Sequence, residues 1–201
     1  MFFDWGGLVR LIADTVIVVV IGLILGGASA WYTINTGLGF GGIRSGPWVS
    51  WPFASGAAVD PYTMAKTVRN GTIPLGAAEG LAFEAATDSH GEALQLSCDY
   101  IVSGTTPPSK LWTLAAYTAS GERITPGNGS SSSVHSGRLL RFSDGSFRIL
   151  IGQQPKAGNW LGTAGEGRFR LVLRVYDTPV TSTSGLVSPT MPNIIRGRCE
   201  A

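Results

Sequence analysis

The chain offers little to a metal ion or a reactive thiol: two cysteines, Cys98 and Cys199, and two histidines, His90 and His135, in 201 residues. These four stand at no ligand-like spacing, which excludes an ordinary zinc motif, and neither cysteine has a catalytic partner visible in the sequence. Familiar catalytic signatures are missing too. There is no G-x-S-x-G elbow, H-E-x-x-H helix, P-loop or EF-hand loop. No RNP, helix-turn-helix or zinc-finger pattern occurs either. Charge is sparse, at 14% of residues. After the first thirty residues, fourteen basic side chains stand against eleven acidic ones, too mild an excess to argue for a nucleic-acid partner. Beyond Trp31 no second long apolar run appears.

One such run is present, at the N-terminus. Leu8 to Ala30 reads LVRLIADTVIVVVIGLILGGASA, interrupted only by Arg10 and Asp14. As a helix it would be roughly 34 Å long, against a hydrocarbon core of about 30 Å. Arg10 and Asp14 are spaced i,i+4 near its start, where they can pair and Arg10 can snorkel outward. The expected role is a transmembrane anchor over residues 1–30, holding the rest at a membrane. Ala28-Ser29-Ala30 after the apolar Thr15–Leu25 stretch keeps a cleavable signal segment open as the alternative. Its n-region, with Asp4 and one basic residue, is atypical of that class. A buried core helix is the weakest reading, because Val16–Leu25 has no polar face.

Residues 31–59 carry Gly, Pro, Ser and Trp without periodicity and read as a linker arm, with Trp48, Trp51 and Phe53 as anchors onto the domain. Gly37, Gly39, Gly41 and Gly42 do not form a nucleotide loop, since they precede Pro47 rather than a helix. No cofactor is expected. Residues 60–201 are expected to form one domain. Asp60-Pro61 predicts the N-terminus of a short helix, ended by Asn70-Gly71, with Tyr62, Ala65 and Val68 inward and Lys66 and Arg69 towards water.

From Leu75 onward strands and turns alternate. Segments 80–87 and 94–103 flank the turn Asp88-Ser89-His90-Gly91 and read as a hairpin. Segments 138–142 and 146–152 flank Asp144-Gly145. Lys110–Thr118 and Arg168–Tyr176 complete the set. Phe147, Ile149 and Ile151 define one core face, and Phe169, Leu171, Leu173 and Val175 another. The fold class is therefore mainly β: an antiparallel β-sandwich of jelly-roll character with one short helix, preceded by a single transmembrane helix.

The same alternation places Arg168, Arg170 and Arg174 on the opposite face, with Arg148 nearby. This is either a surface for an anionic partner or a solvated face with edge-protecting charge. Ser130 to Ser133 with His135 and Ser136 follow Pro126-Gly127-Asn128-Gly129, the composition of a loop rather than of a nucleophile with its base. Glu79, Glu84, Asp88, Glu92 and Asp99 include no pair selected by spacing. In Gly158-Asn159-Trp160-Leu161, ahead of a strand, Trp160 can plug an end of the sandwich while Asn159 bonds backbone. Cys98 and Cys199 are most economically a disulfide if the compartment is oxidising, closing a loop of about 100 residues.

Several motifs occur together in a recognisable order. They are Asp60-Pro61-Tyr62, Ile73–Gly80 (IPLGAAEG), Cys98-Asp99-Tyr100, and Thr106-Pro107-Pro108 before Trp112-Thr113-Leu114. Asp144-Gly145-Ser146-Phe147, Gly158-Asn159-Trp160-Leu161, Arg174-Val175-Tyr176-Asp177, Arg196 and Cys199 follow. Over residues 45–201 the chain resembles the domain-of-unknown-function family 1214. The resemblance implies a β-sandwich of jelly-roll character in the bacterial envelope, and no settled reaction. In longer relatives this domain follows one of the 1254 family, where here a membrane segment stands. Two positions depart from the pattern: Asn128 is followed by Gly-Ser-Ser-Ser-Ser, and Gly162 replaces a common Pro. The expected role is a non-catalytic binding or structural module in the periplasm, held to the inner membrane by a single pass through residues 8–30. Its expected partner is an envelope protein or glycan. An envelope hydrolase acting on sugar or amide bonds, or a subunit of a larger membrane assembly, are the alternatives. Candidates for ligand contact are Asn159, Trp160, Trp112, Arg174 and Tyr176.

Overall fold

A computed structural model describes residues 5–36, 42–52, 59, 61–69, 75, 79–127, 131–179 and 189–199. Helix α1, Trp5–Thr36, extends beyond the apolar run at both ends. Its stretch Val9–Thr33 is long and apolar enough to cross a membrane, and none of it is buried. Hydrocarbon leaves no water to satisfy polar groups, and the helix meets this internally. The hydroxyls of Thr15, Ser29 and Thr33 donate to the carbonyls of Leu11, Gly26 and Ser29 at 2.7, 2.9 and 2.9 Å. Trp31 and Tyr32 stand exposed at the C-terminal end, as interfacial aromatics do. Arg10 and Asp14 are not among the ion pairs of the described residues, so the expected pairing is not made.

Helix α2, Pro61–Arg69, begins on the proline whose fixed φ suits a first turn. The expected cap Asp60 and stop Asn70-Gly71 lie outside the described residues, as do Phe53 and Asn128. Ala65 is half-buried as expected, but Val68 is exposed, reversing its predicted side.

Among the described residues ten strands follow α1: β1 (Ile43–Ser45), β2 (Trp48–Ser50), β3 (Gly80–Ala85), β4 (Cys98–Gly104), β5 (Leu111–Thr118), β6 (Ser133–His135), β7 (Phe147–Gly152), β8 (Asn159–Gly162), β9 (Phe169–Tyr176) and β10 (Asn193–Cys199). They form a six-stranded sheet, β1-β2-β3-β9-β5-β6, and a four-stranded sheet, β10-β4-β7-β8. The two share one apolar core built from the predicted faces: Phe147, Ile149 and Ile151 from one sheet, Phe169, Leu171, Leu173 and Val175 from the other. Mainly-β sandwich architecture is thus observed. The six-stranded sheet is antiparallel as expected, whereas the four-stranded one is mixed, because β7 and β8 run parallel. A jelly roll pairs two four-stranded sheets, an order that this six-plus-four arrangement does not establish.

Two expectations are corrected. Within the expected linker arm, residues 43–50 are regular rather than aperiodic, since β1 and β2 form a hairpin that joins β3; Trp48 anchors onto the domain as expected, fully buried with its indole N–H donated to the Pro192 carbonyl at 2.7 Å. The turn at residues 88–91 closes as predicted, with Asp88 N–H donating to the Glu92 carbonyl at 2.8 Å. Its two flanking strands nevertheless belong to different sheets, β3 pairing with β2 and β9, β4 with β10 and β7. Leu94 and Leu96 are buried in the core between those strands. A turn signal fixes the reversal but not the partner of the strand that leaves it.

Candidate functional site

Strands β6 and β8 are edge strands of the two different sheets, and they lie beside one another. Between and alongside them are two adjoining basins of about 390 and about 230 Å³, which share Leu140, Gly158 and Asn159. Asn159 is the post between them. Its amide oxygen accepts the Leu140 N–H at 2.7 Å, and its amide nitrogen donates to the carbonyls of Leu140 at 2.8 Å and Arg148 at 2.9 Å. The side chain thereby copies a strand neighbour, fixing the segment after β6 against the edge of β8 and holding Leu140 outward, 69% exposed.

The larger basin is bounded on the β6 side by Ser133, Val134 and His135, and by Arg138 of the following short 3₁₀ turn. Opposite them stands Trp160, half-buried, its indole N–H donated to the Gly152 carbonyl at 3.1 Å. In the smaller basin Arg141, Phe142, Arg148 and Leu150 surround the opening. Arg148 lies 5.9 Å over the Phe142 ring, and Arg141 likewise 5.9 Å over Phe147. Among the described residues neither basin is lined by a carboxylate. Arg138 and Arg148 are in no ion pair of the described residues. The electrostatic character is cationic beside apolar and hydroxylated walls.

Two of the described serines here are engaged with backbone. Ser131 Oγ donates to the Ser133 carbonyl, and Ser136 Oγ accepts the Trp112 N–H at 3.2 Å. Hydrolysis by an activated hydroxyl needs a base oriented by a third group, and no described acid lines the basin that holds His135. The carboxylates considered from the sequence are dispersed. Glu84 meets Arg170 at 3.4 Å, Asp88 meets Arg196 at 3.3 Å, and Asp99 meets Lys156 at 2.7 Å. The described residues contain no cluster of three His, Cys, Asp or Glu able to hold a metal ion.

The five candidate contact residues do not converge. Asn159 and Trp160 line the basins. Trp112 is only 2% exposed, packed with its ring 5.0 Å from Phe147, and faces the core rather than a ligand. Arg174 and Tyr176 lie on the outer face of β9, where Arg174 donates to the Tyr117 hydroxyl at 2.9 Å and sits 5.2 Å over that ring. Arg170 on the same face is paired with Glu84, so the expected basic surface is partly neutralised. Arg148, expected near it, belongs instead to β7 in the other sheet. Arg138 and Leu140 were not candidates from sequence, and His135 was weighed only with the serine run, because only the juxtaposition of β6 and β8 brings them to Trp160.

Cys98 and Cys199 stand directly opposite in the β4–β10 register, their sulfurs at bonding distance, 1.96 Å. A sequence model of a single domain family, DUF1214, a protein of unknown function, matches residues 79–180, half of the chain. The chain belongs to the DUF1214 family. Among solved structures, the VPA0106 protein from Vibrio parahaemolyticus is similar over 70% of this chain and 36% of its own, at 20% identity and a TM-score of 0.56. An uncharacterized protein from Burkholderia cenocepacia aligns over 72% of this chain and 45% of its own, at 19% identity and a TM-score of 0.42. This DUF1214 chain therefore spans about a third of the first structure's length and under half of the second's. The first likeness supports the fold alone. No curated protein matches the chain.

Proposed function

We propose that this DUF1214 protein is a non-catalytic binding module of the bacterial envelope, tethered to the inner membrane by α1 with its β-sandwich in the periplasm. The unburied apolar helix supports the tether. The observation that carries the placement is the Cys98–Cys199 pair, seated opposite one another in the β4–β10 register. Disulfides persist in oxidising compartments, whereas a reducing cytosol keeps such pairs as thiols. Binding rather than turnover is favoured by the commitment of Glu84, Asp88 and Asp99 to separate cations, which leaves the two basins to arginine, histidine and apolar groups.

The test is the intact mass of protein taken from membranes after thiols are blocked in whole cells. The expected species retains α1 and gains blocking groups at Cys98 and Cys199 only after reduction. Blocking of both thiols without reductant would overturn the periplasmic placement. A species starting at Trp31 would replace the tether with a free periplasmic domain.

A further inference from the structure

We infer that the paired basins beside Leu140 and Asn159 bind an acidic sugar: a saccharide ring carrying a carboxylate or phosphate, with its neighbouring unit in the second basin. This deepens the binding-module reading and rests on it. Size is the first argument. Small-ligand sites typically occupy about 300–1,000 Å³, and the larger basin alone offers about 390 Å³ with about 230 Å³ adjoining.

The chemistry of the walls is the second argument. Arg138 and Arg148 are exposed cations, one lining each basin, outside the ion pairs of the described residues. A guanidinium presents a planar fork matched to carboxylate or phosphate oxygens, while the described walls supply no competing acid. A neutral sugar would be poorly served, since carboxylate acceptors for its hydroxyl protons are missing from these described walls. Trp160 and Leu140 supply the apolar surface on which the C–H face of a ring can lie, and Ser133 and His135 supply polar groups beside it. Geometry is the third argument. All three hydrogen-bonding contacts of the Asn159 amide go to backbone, so the post between the basins is rigid before any ligand arrives. Preorganisation of this kind lowers the ordering cost of binding.

The test is calorimetric titration of the full chain in detergent micelles with oligogalacturonate, glucose 1-phosphate, neutral maltotetraose, inorganic phosphate and anionic lipid vesicles. Binding of oligogalacturonate or glucose 1-phosphate, with maltotetraose and inorganic phosphate silent, is the expected result, and the stronger of the two identifies the anionic group. Arg138→Gln is expected to weaken that binding roughly tenfold or more. Arg148→Gln provides the same reading from the second basin, and thermal melts verify that both variants fold. Arg168→Gln, at the exposed residue just before β9 that lines neither basin, is the charge control and leaves binding unchanged. Equal affinity for the neutral sugar, an equal loss in Arg168→Gln, or binding confined to vesicles would each overturn the proposal. So would silence towards every sugar. Because micelles impose no sidedness, these outcomes are independent of the membrane placement, which the mass measurement decides.

Discussion

At the scale of single residues, the turn at Asp144 shows how local chemistry sets a titration. Ser146 donates both its hydroxyl, at 2.7 Å, and its backbone N–H, at 2.9 Å, to the same oxygen of Asp144. The hydroxyl bond is the larger cause, and together they hold this exposed carboxyl below its ordinary value. A lowered carboxyl pKa contributes stability above the ordinary value, and that contribution disappears as pH falls through the lowered one. Ser146→Ala is expected to move the Asp144 midpoint up towards the ordinary carboxylate range, read by side-chain carbonyl NMR during a pH titration. This turn was legible in the sequence, because Asp-Gly-Ser carries its own hydrogen-bonding partners. Trp112 was not. A tryptophan followed by alternating residues can face either side of a strand, and only the sheet packing at Phe147 decides that it points inward.

At the scale of elements, the turn between β3 and β4 is locked by a group from the far end of the domain. Asp88, 2% exposed at its side chain, accepts the N–H groups of His90 and Glu92 and faces Arg196 of β10. Arg196 also donates to the Ala93 carbonyl at 2.6 Å and lies 5.9 Å over the Tyr100 ring. Arg196→Ala leaves a buried carboxylate without its cation, a change that costs about 3–5 kcal/mol where both partners are buried. With Arg196 29% exposed at its side chain, the expected loss is near the lower end, about 3 kcal/mol, measured by urea unfolding. Segment 94–103 was read as a strand, and its Leu94, Leu96, Cys98, Tyr100 and Val102 are all buried. Their destination was not readable, since the sequence prints no mark where a strand changes sheets. The parallel pairing of β7 with β8 was equally hidden. A six-residue link suffices there because β8 starts opposite Ile149, only three residues back from the end of β7. Gly158-Asn159-Trp160-Leu161 was expected ahead of a strand, whereas Asn159 to Gly162 is the strand.

At the scale of the whole molecule, the edge of the four-stranded sheet is closed by residues far apart in sequence. The proposed Cys98–Cys199 bond spans a separation of 101 residues. A closed loop of that length restricts the unfolded chain by roughly 4–5 kcal/mol in the chain-entropy model, an upper figure. Reduction is therefore expected to lower the melting temperature of the domain by on the order of 10 °C, checked by paired thermal melts with and without reductant. The candidate site belongs to this scale as well. Trp160 was visible as a motif, but its neighbours across the cleft come from another sheet, so the basins exist only once both sheets have closed over one core.

The position of β9 bears on how such closure happens in time. It lies between β3 and β5, paired with β3 from Ala85 to Gly80 and with β5 along its whole length. Both of its neighbours precede it in the chain by fifty residues or more. Until residues 169–176 arrive, β3 and β5 have no strand to join them, and the six-stranded sheet has no axis. Such non-local pairing puts refolding in the millisecond-to-second range, and in a newly made chain this sheet stays open until its late segment is free to insert.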